Sequence, residues 1–158
     1  LAPVFLELVR EATRSGAFQL IGSLVDSTPL RDVYGPPSTE ANELLSRVVG
    51  VANAIGWGAL TVGDHQPGKR LGLSTPMTPE AVFYAARHGG TPQPRLPALQ
   101  GLAEAVFLLA TRVEWQGRGV DAQLYSELAR SGPTLSVEEL RSVLSGDREC
   151  EVVVSHVG

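Results

Sequence analysis

The side chains able to carry chemistry are few, and their spacing works against it. The histidines are His65, His88 and His156. None has another His or a Glu three or four positions away, the spacing that puts two metal ligands on one helix face. The pattern places His65 in a turn and His88 at a helix end, where a basic group complements the dipole. His156 falls in a closing strand, on one face with Cys150, Val152 and Val154. Six residues at ~3.3 Å each hold Cys150 and His156 about 20 Å apart, too far for a thiolate–imidazole pair. No serine stands in a Gly-x-Ser-x-Gly elbow. Gly56-Trp57-Gly58 leaves a helix and enters a strand, the reverse of a phosphate-cradling loop, so it reads as a tight turn.

Carboxylates and aromatic rings are the remaining candidates. Glu114 beside Trp115, and Glu149 with Glu151, are the pairs available for acid–base work on a sugar. A general acid needs a buried pocket to raise its pKa, whereas Glu149 and Glu151 lie near a strand end and read as solvated charges. Trp57, Trp115, Tyr34 and Tyr125 have the faces to stack on pyranose rings, but rings of that size normally bury. The expectation is no catalytic, cofactor-binding or metal residues, and a protein that is not an enzyme.

The elements that position these residues can be read from periodicity. Pro3–Ser15 opens as a helix with Val4, Leu8 and Ala12 on one face, and Gly16 stops it or makes a hinge. Ala17–Asp26 follows at helical spacing, and Tyr34-Gly35-Pro36-Pro37 breaks the chain. Ser38 or Thr39 caps a long helix to about Ile55, with Ala41, Leu44, Leu45, Val48, Val49, Ala52 and Ile55 as its apolar stripe. Ala59–Val62 and Lys69–Ser74 pair as a hairpin around a turn at Asp64–Gly68. Thr78-Pro79-Glu80 starts a short helix that ends near Gly89-Gly90, and Thr91–Pro97 is a proline-rich loop. Leu99–Arg112 is an apolar helix facing inward with Leu102, Val106, Leu109 and Ala110. Val113–Gln116 reads as a strand and Asp121–Arg130 as a helix. Ser136 and Glu139 form a capping box for a helix ending at Gly146, and Cys150–Val157 is a β-branched strand. The order predicts an α+β fold: several helices packed on a small antiparallel sheet, as a single domain over 1–158.

Composition agrees. The chain has 158 residues, 43% hydrophobic and 19% charged, enough apolar content for a core without disulfide or metal staples. Its net charge is −4, and its arginines are scattered among acidic and apolar positions as on solvated faces, which argues against nucleic acid. Cys150 is the only cysteine, so no intrachain disulfide forms. The longest apolar runs, such as Ala103–Ala110, fall far short of the ~20 residues of a membrane helix. No signal-peptide pattern is present, so a soluble protein is expected, with the compartment left open.

The stretch Glu43-Leu44-Leu45 leading to Ile55-Gly56-Trp57-Gly58-Ala59-Leu60-Thr61-Val62 resembles the long helix and strand entry of the D-subunit family of bacterial cellulose synthase. Phe5-Leu6-Glu7-Leu8, the Gly16 break, Pro36-Pro37 and Leu96-Pro97-Ala98-Leu99-Gln100-Gly101-Leu102 are similar to that family in the same order. Met77–Pro94 and Gly117–Gly146 have no close counterpart there. The resemblance implies a non-catalytic accessory protein of the cellulose synthase complex: a homo-oligomeric ring, an octamer of paired dimers, beside other cellulose synthase subunits. Such a ring would sit in the periplasm or cytoplasm near the synthase and guide nascent β-1,4-glucan chains for export and crystallisation. The Ser38–Ile55 helix would supply the dimer surface, while the residues lining a glucan passage stay unassigned. The order of elements and the late Cys150 strand are also similar to V4R-type domains, which bind small apolar molecules inside an α/β shell. That alternative implies a monomer or dimer with a ligand pocket.

Overall fold

In a computed structural model the described residues are 3–88, 96–117 and 119–157. Among these residues six helices pack with one four-stranded antiparallel sheet, so the α+β expectation holds. The helices are α1 (Pro3–Val25), α2 (Thr28–Tyr34), α3 (Ala41–Ala54), α4 (Pro79–His88), α5 (Pro97–Thr111) and α6 (Ala122–Arg130). The strands β1 (Thr61–Gln66), β2 (Arg70–Thr75), β3 (Leu135–Arg141) and β4 (Cys150–His156) lie in the order β1-β2-β4-β3. No helix among the described residues is long and apolar enough to cross a membrane.

The core forms where α5 meets α1, α3 and the sheet. Leu99, Leu102, Ala103, Ala105, Val106, Phe107, Leu108 and Leu109 are all buried, so α5 is covered on almost every side, not on one face as the periodicity suggested. Alternation sends Cys150, Val152 and Val154 of β4 inward, opposite Thr75, Leu73 and Leu71 of β2. β4 thus matches the expected strand and face.

Several boundaries differ from the sequence reading. Gly16 neither stops nor hinges α1, which runs unbroken to Val25. A mid-helix glycine costs only about 1 kcal/mol, and the burial of Ala17, Phe18, Ile21 and Val25 outweighs it. The cap of α3 is Glu40, whose carboxylate accepts from the amides of Asn42 and Glu43 at 3.0 and 2.8 Å; Ser38 Oγ instead accepts from the Glu40 amide. β1 runs through the residues expected to turn, with its irregularity between Val62 and His65, and the turn itself is Pro67–Lys69. Pro97 begins α5, while the rest of the expected loop, residues 91–95, lies outside the described residues. Val113–Gln116 is a turn region, because Trp115 buries against the core and donates its indole N–H to the Leu109 carbonyl at 3.1 Å.

The largest correction is the capping box. Leu135–Arg141 is strand β3, followed only by a single 3-10 turn at Val143–Ser145. Pairing with β4 satisfies its backbone, and alternation turns Leu135, Val137 and Glu139 to the core face. Glu139 does cap a helix, but a distant one. Its carboxylate accepts from the Leu96 amide at 3.0 and 3.1 Å and from Gln100 Nε2 at 2.6 Å, at the start of α5.

Candidate functional site

A broad concavity is built on the outer shoulder of α3. Leu44, Leu45, Val48 and Ala52 point into the core, which leaves a second face at i, i+3 and i+4 spacing: Glu43, Arg47, Gly50, Val51, Ala54 and Ile55. These residues line a groove of about 1120 Å³. Its opposite wall is the end of α1 and the excursion from there to α3, where Leu24, Pro29, Leu30, Tyr34, Pro36 and Pro37 contribute mostly apolar surface, with Gln116 from the turn after α5. Pro29 sits in the first turn of α2, and Gly35, at φ +78°, lets the chain leave it before Pro36-Pro37 prevents continuation. None of the seven residues of α2 is fully buried, so it leans on the groove without being locked into the core.

Arg47 holds this wall in place. Its Nε donates to the Val25 carbonyl at 2.9 Å and Nη1 to the Gly35 carbonyl at 2.8 Å, so one guanidinium clasps the chain on both sides of α2. Nη2 is buried and has no hydrogen-bond partner among the described residues. Glu43, the one carboxylate in the lining among the described residues, accepts from the Ser38 hydroxyl at 2.8 Å.

The other buried charges are tied into the scaffold. Glu104 of α5 is 1% exposed and meets Arg14 Nη1 at 2.6 Å and Arg10 Nε at 3.3 Å. Burial raises its pKa, opposed by the two arginines. Arg14 also pairs with Glu11 and donates to Tyr125 Oη at 2.8 Å. Glu80 of α4 accepts from the Ala98 and Leu99 amides at 2.9 and 3.2 Å, so carboxylates from α4 and β3 together satisfy the start of α5.

The candidate residues read from sequence are dispersed. Of the four aromatics, only Tyr34 reaches the groove, exposed at the end of α2. Trp115 is in the core and Trp57 packs partly against it. Tyr125 is buried; its hydroxyl donates to Glu11 at 2.7 Å, and burial with that bond pushes its pKa up to about 12. His65 lies in β1 and not in a turn, with Nδ1 3.0 Å from Asn42 Oδ1. His156 stands edge-on to Phe107 at 5.3 Å, its pKa lowered by burial and by Arg112. The His88 side chain lies outside the described residues. Cys150 is buried, which raises its thiol pKa. Glu114 is exposed, and Glu149 and Glu151 both pair with Arg141, at 2.7 and 3.3 Å, as surface charges. Among the described residues no group of three or more His, Cys, Asp or Glu is arranged to hold a metal ion.

The sequence reading missed Arg47 and Gly50. Arg47 looked like one of many scattered arginines, and only the return of the chain through α2 reveals what it clasps.

No family model matches the chain, and no curated protein matches it. Among solved structures it is similar to the crystal structure of the phenol-responsive sensory domain of the transcription activator PoxR with phenol. The TM-score is 0.61 at 14% sequence identity, over 98% of this chain and 67% of that one. At this identity the likeness establishes a shared fold.

Proposed function

We propose that the chain is a non-catalytic sensory module that receives a small, largely apolar molecule in the groove between α2 and α3. The observation that carries this reading is the groove itself. A volume of about 1120 Å³ lies just above the usual range of about 300–1,000 Å³ for small-molecule sites, and an apolar lining with a few polar groups is their usual composition. The fold shared with a phenol-responsive domain supports the same direction. α2, held by the Arg47 clasp but with no fully buried residue of its own, gives ligand binding a means of changing the surface, because the ligand favours whichever α2 position it contacts best.

The test is calorimetric titration with phenol and with the larger neutral ring of 2-naphthol. Saturable binding is expected, and Gly50→Trp should abolish it. Gly50 lines the groove and a Cβ there meets nothing within 4 Å, so the substitution starts from open space and projects the indole from the α3 wall of the groove. Absence of saturable binding by both compounds, or binding that survives Gly50→Trp, would sink the reading.

A second reading is the ring-forming accessory protein that guides β-1,4-glucan. It is favoured by the exposed apolar residues Val4, Phe5, Leu8 and Leu20 along α1, a surface suited to self-association. Light scattering after size exclusion decides it: a species near eight subunits supports the ring, and a monomer or dimer across concentrations removes it.

A further inference from the structure

Among the described residues Arg47 is the one cationic side chain in the groove lining, and no carboxylate among them forms an ion pair with it. A guanidinium carries five N–H donors. The Val25 and Gly35 carbonyls engage Nε and Nη1, and Nη2 is buried without an acceptor. A buried donor left unpaired is costly, and so is a partly desolvated charge without a counterion. A carboxylate on the Nη1–Nη2 edge relieves both at once, since it matches that edge with two parallel hydrogen bonds.

The rest of the groove restricts the body of such a ligand. From Arg47 to Ile55 the α3 wall runs eight residues, about 12 Å at ~1.5 Å each, and passes the small or apolar Gly50, Val51 and Ala54. Glu43 stands one turn from Arg47 in the opposite direction and disfavours negative charge at that end of the groove, which limits a ligand to the single carboxylate that Arg47 can engage. Nη2 is buried, so a ligand engages it only after the lining around it rearranges, and α2, with no fully buried residue, is an element of that lining able to move.

We infer that the groove takes an organic monocarboxylate with an apolar body, its carboxylate on Arg47 and its body along α3 toward Ile55. This rests on the groove being the binding site. It defines the ligand by its charge as well as its apolar surface.

The test titrates octanoate and its neutral counterpart 1-octanol into the full chain, as wild type, Arg47→Met and Gly50→Trp. The expected result is octanoate at least about tenfold tighter than 1-octanol in wild type, the size of one charge-assisted bond. Arg47→Met should remove that preference and retain 1-octanol, and Gly50→Trp should lose both. Equal wild-type affinities that are both lost in Gly50→Trp overturn the carboxylate assignment and leave the groove standing. A preference that survives Arg47→Met overturns the role of Arg47. No binding of either compound to wild type overturns the groove and the inference together. Should Arg47→Met fail to fold, the wild-type comparison decides alone. Phenylbutyrate against 4-phenyl-1-butanol then separates an aryl body from an alkyl one.

Discussion

Gly101 of α5 lies directly against the Arg10 carbonyl of α1: a Cβ at Gly101 would come within 2.3 Å of that oxygen, and within 2.9 Å of the Arg14 amide. Both neighbours are backbone, so they cannot rotate away. The contact sets how closely α1 and α5 approach, and one turn further along α5 it brings Glu104 to Arg14. Gly101→Ala should therefore push the two helices apart and cost about 3 kcal/mol, the upper part of the usual range for overpacking. Urea unfolding measures it, and an unchanged midpoint would contradict the close approach.

Glu104 holds two arginines at that interface. Glu104→Ala removes the carboxylate and leaves Arg14 and Arg10 facing each other across a gap. The expected loss is about 3 kcal/mol, the lower end for a broken buried pair, because both arginines keep some contact with water. A double-mutant cycle with Arg14→Met should show coupling, whereas additive losses would mean that the pair contributes only packing.

Glu40 and Glu80 both accept from helix N-terminal amides, yet they titrate in opposite directions. Glu40 is exposed, so the Asn42 and Glu43 amides dominate and lower its pKa. Glu80 is largely desolvated, and burial raises its pKa despite the Ala98 and Leu99 amides. A lowered folded pKa contributes stability that is present above the unfolded carboxylate value and lost as pH falls through the folded one. A raised pKa contributes stability that is present below the unfolded value and lost as pH rises through the folded one. From about pH 3 to 7, wild type should thus gain stability over Glu40→Gln and lose it relative to Glu80→Gln. Unfolding curves for the three proteins across that range check the signs, and parallel slopes would refute the assignment.

Glu139→Ala should weaken the start of α5 by about 1–2 kcal/mol, the usual cost of losing a side-chain cap. Faster hydrogen exchange of the Leu96 amide is the local signature. If that amide is unaffected, Glu139 does not cap α5.

Gly50→Ala should do the reverse and raise stability by about 0.5–1 kcal/mol. It replaces a mid-helix glycine where a Cβ meets nothing within 4 Å. A loss would mean that α3 needs this glycine for its backbone. A gain leaves the open groove as the feature that glycine serves.

Local pattern went a long way here. The helices near α3, α5 and α6, the first hairpin and the β4 strand with its inward Cys150, Val152 and Val154 follow from periodicity and turn residues. Where the reading failed, a distant contact overruled a local preference. Gly16 reads as a stop, but burial of Phe18 and Ile21 carries α1 through it. Ser136 and Glu139 satisfy a capping pattern over four residues, yet pairing with β4 makes that segment a strand and delivers Glu139 to α5.

By itself, then, the sequence determined an α+β fold with an apolar core, because those properties depend on composition and on spacing within one element. The groove and its guanidinium were decided by tertiary structure alone. Arg47, Val25 and Gly35 belong to segments 12 and 22 residues apart, and only the doubling back of the chain through α2 sets two carbonyls on one side chain and leaves its last nitrogen buried with no partner among the described residues.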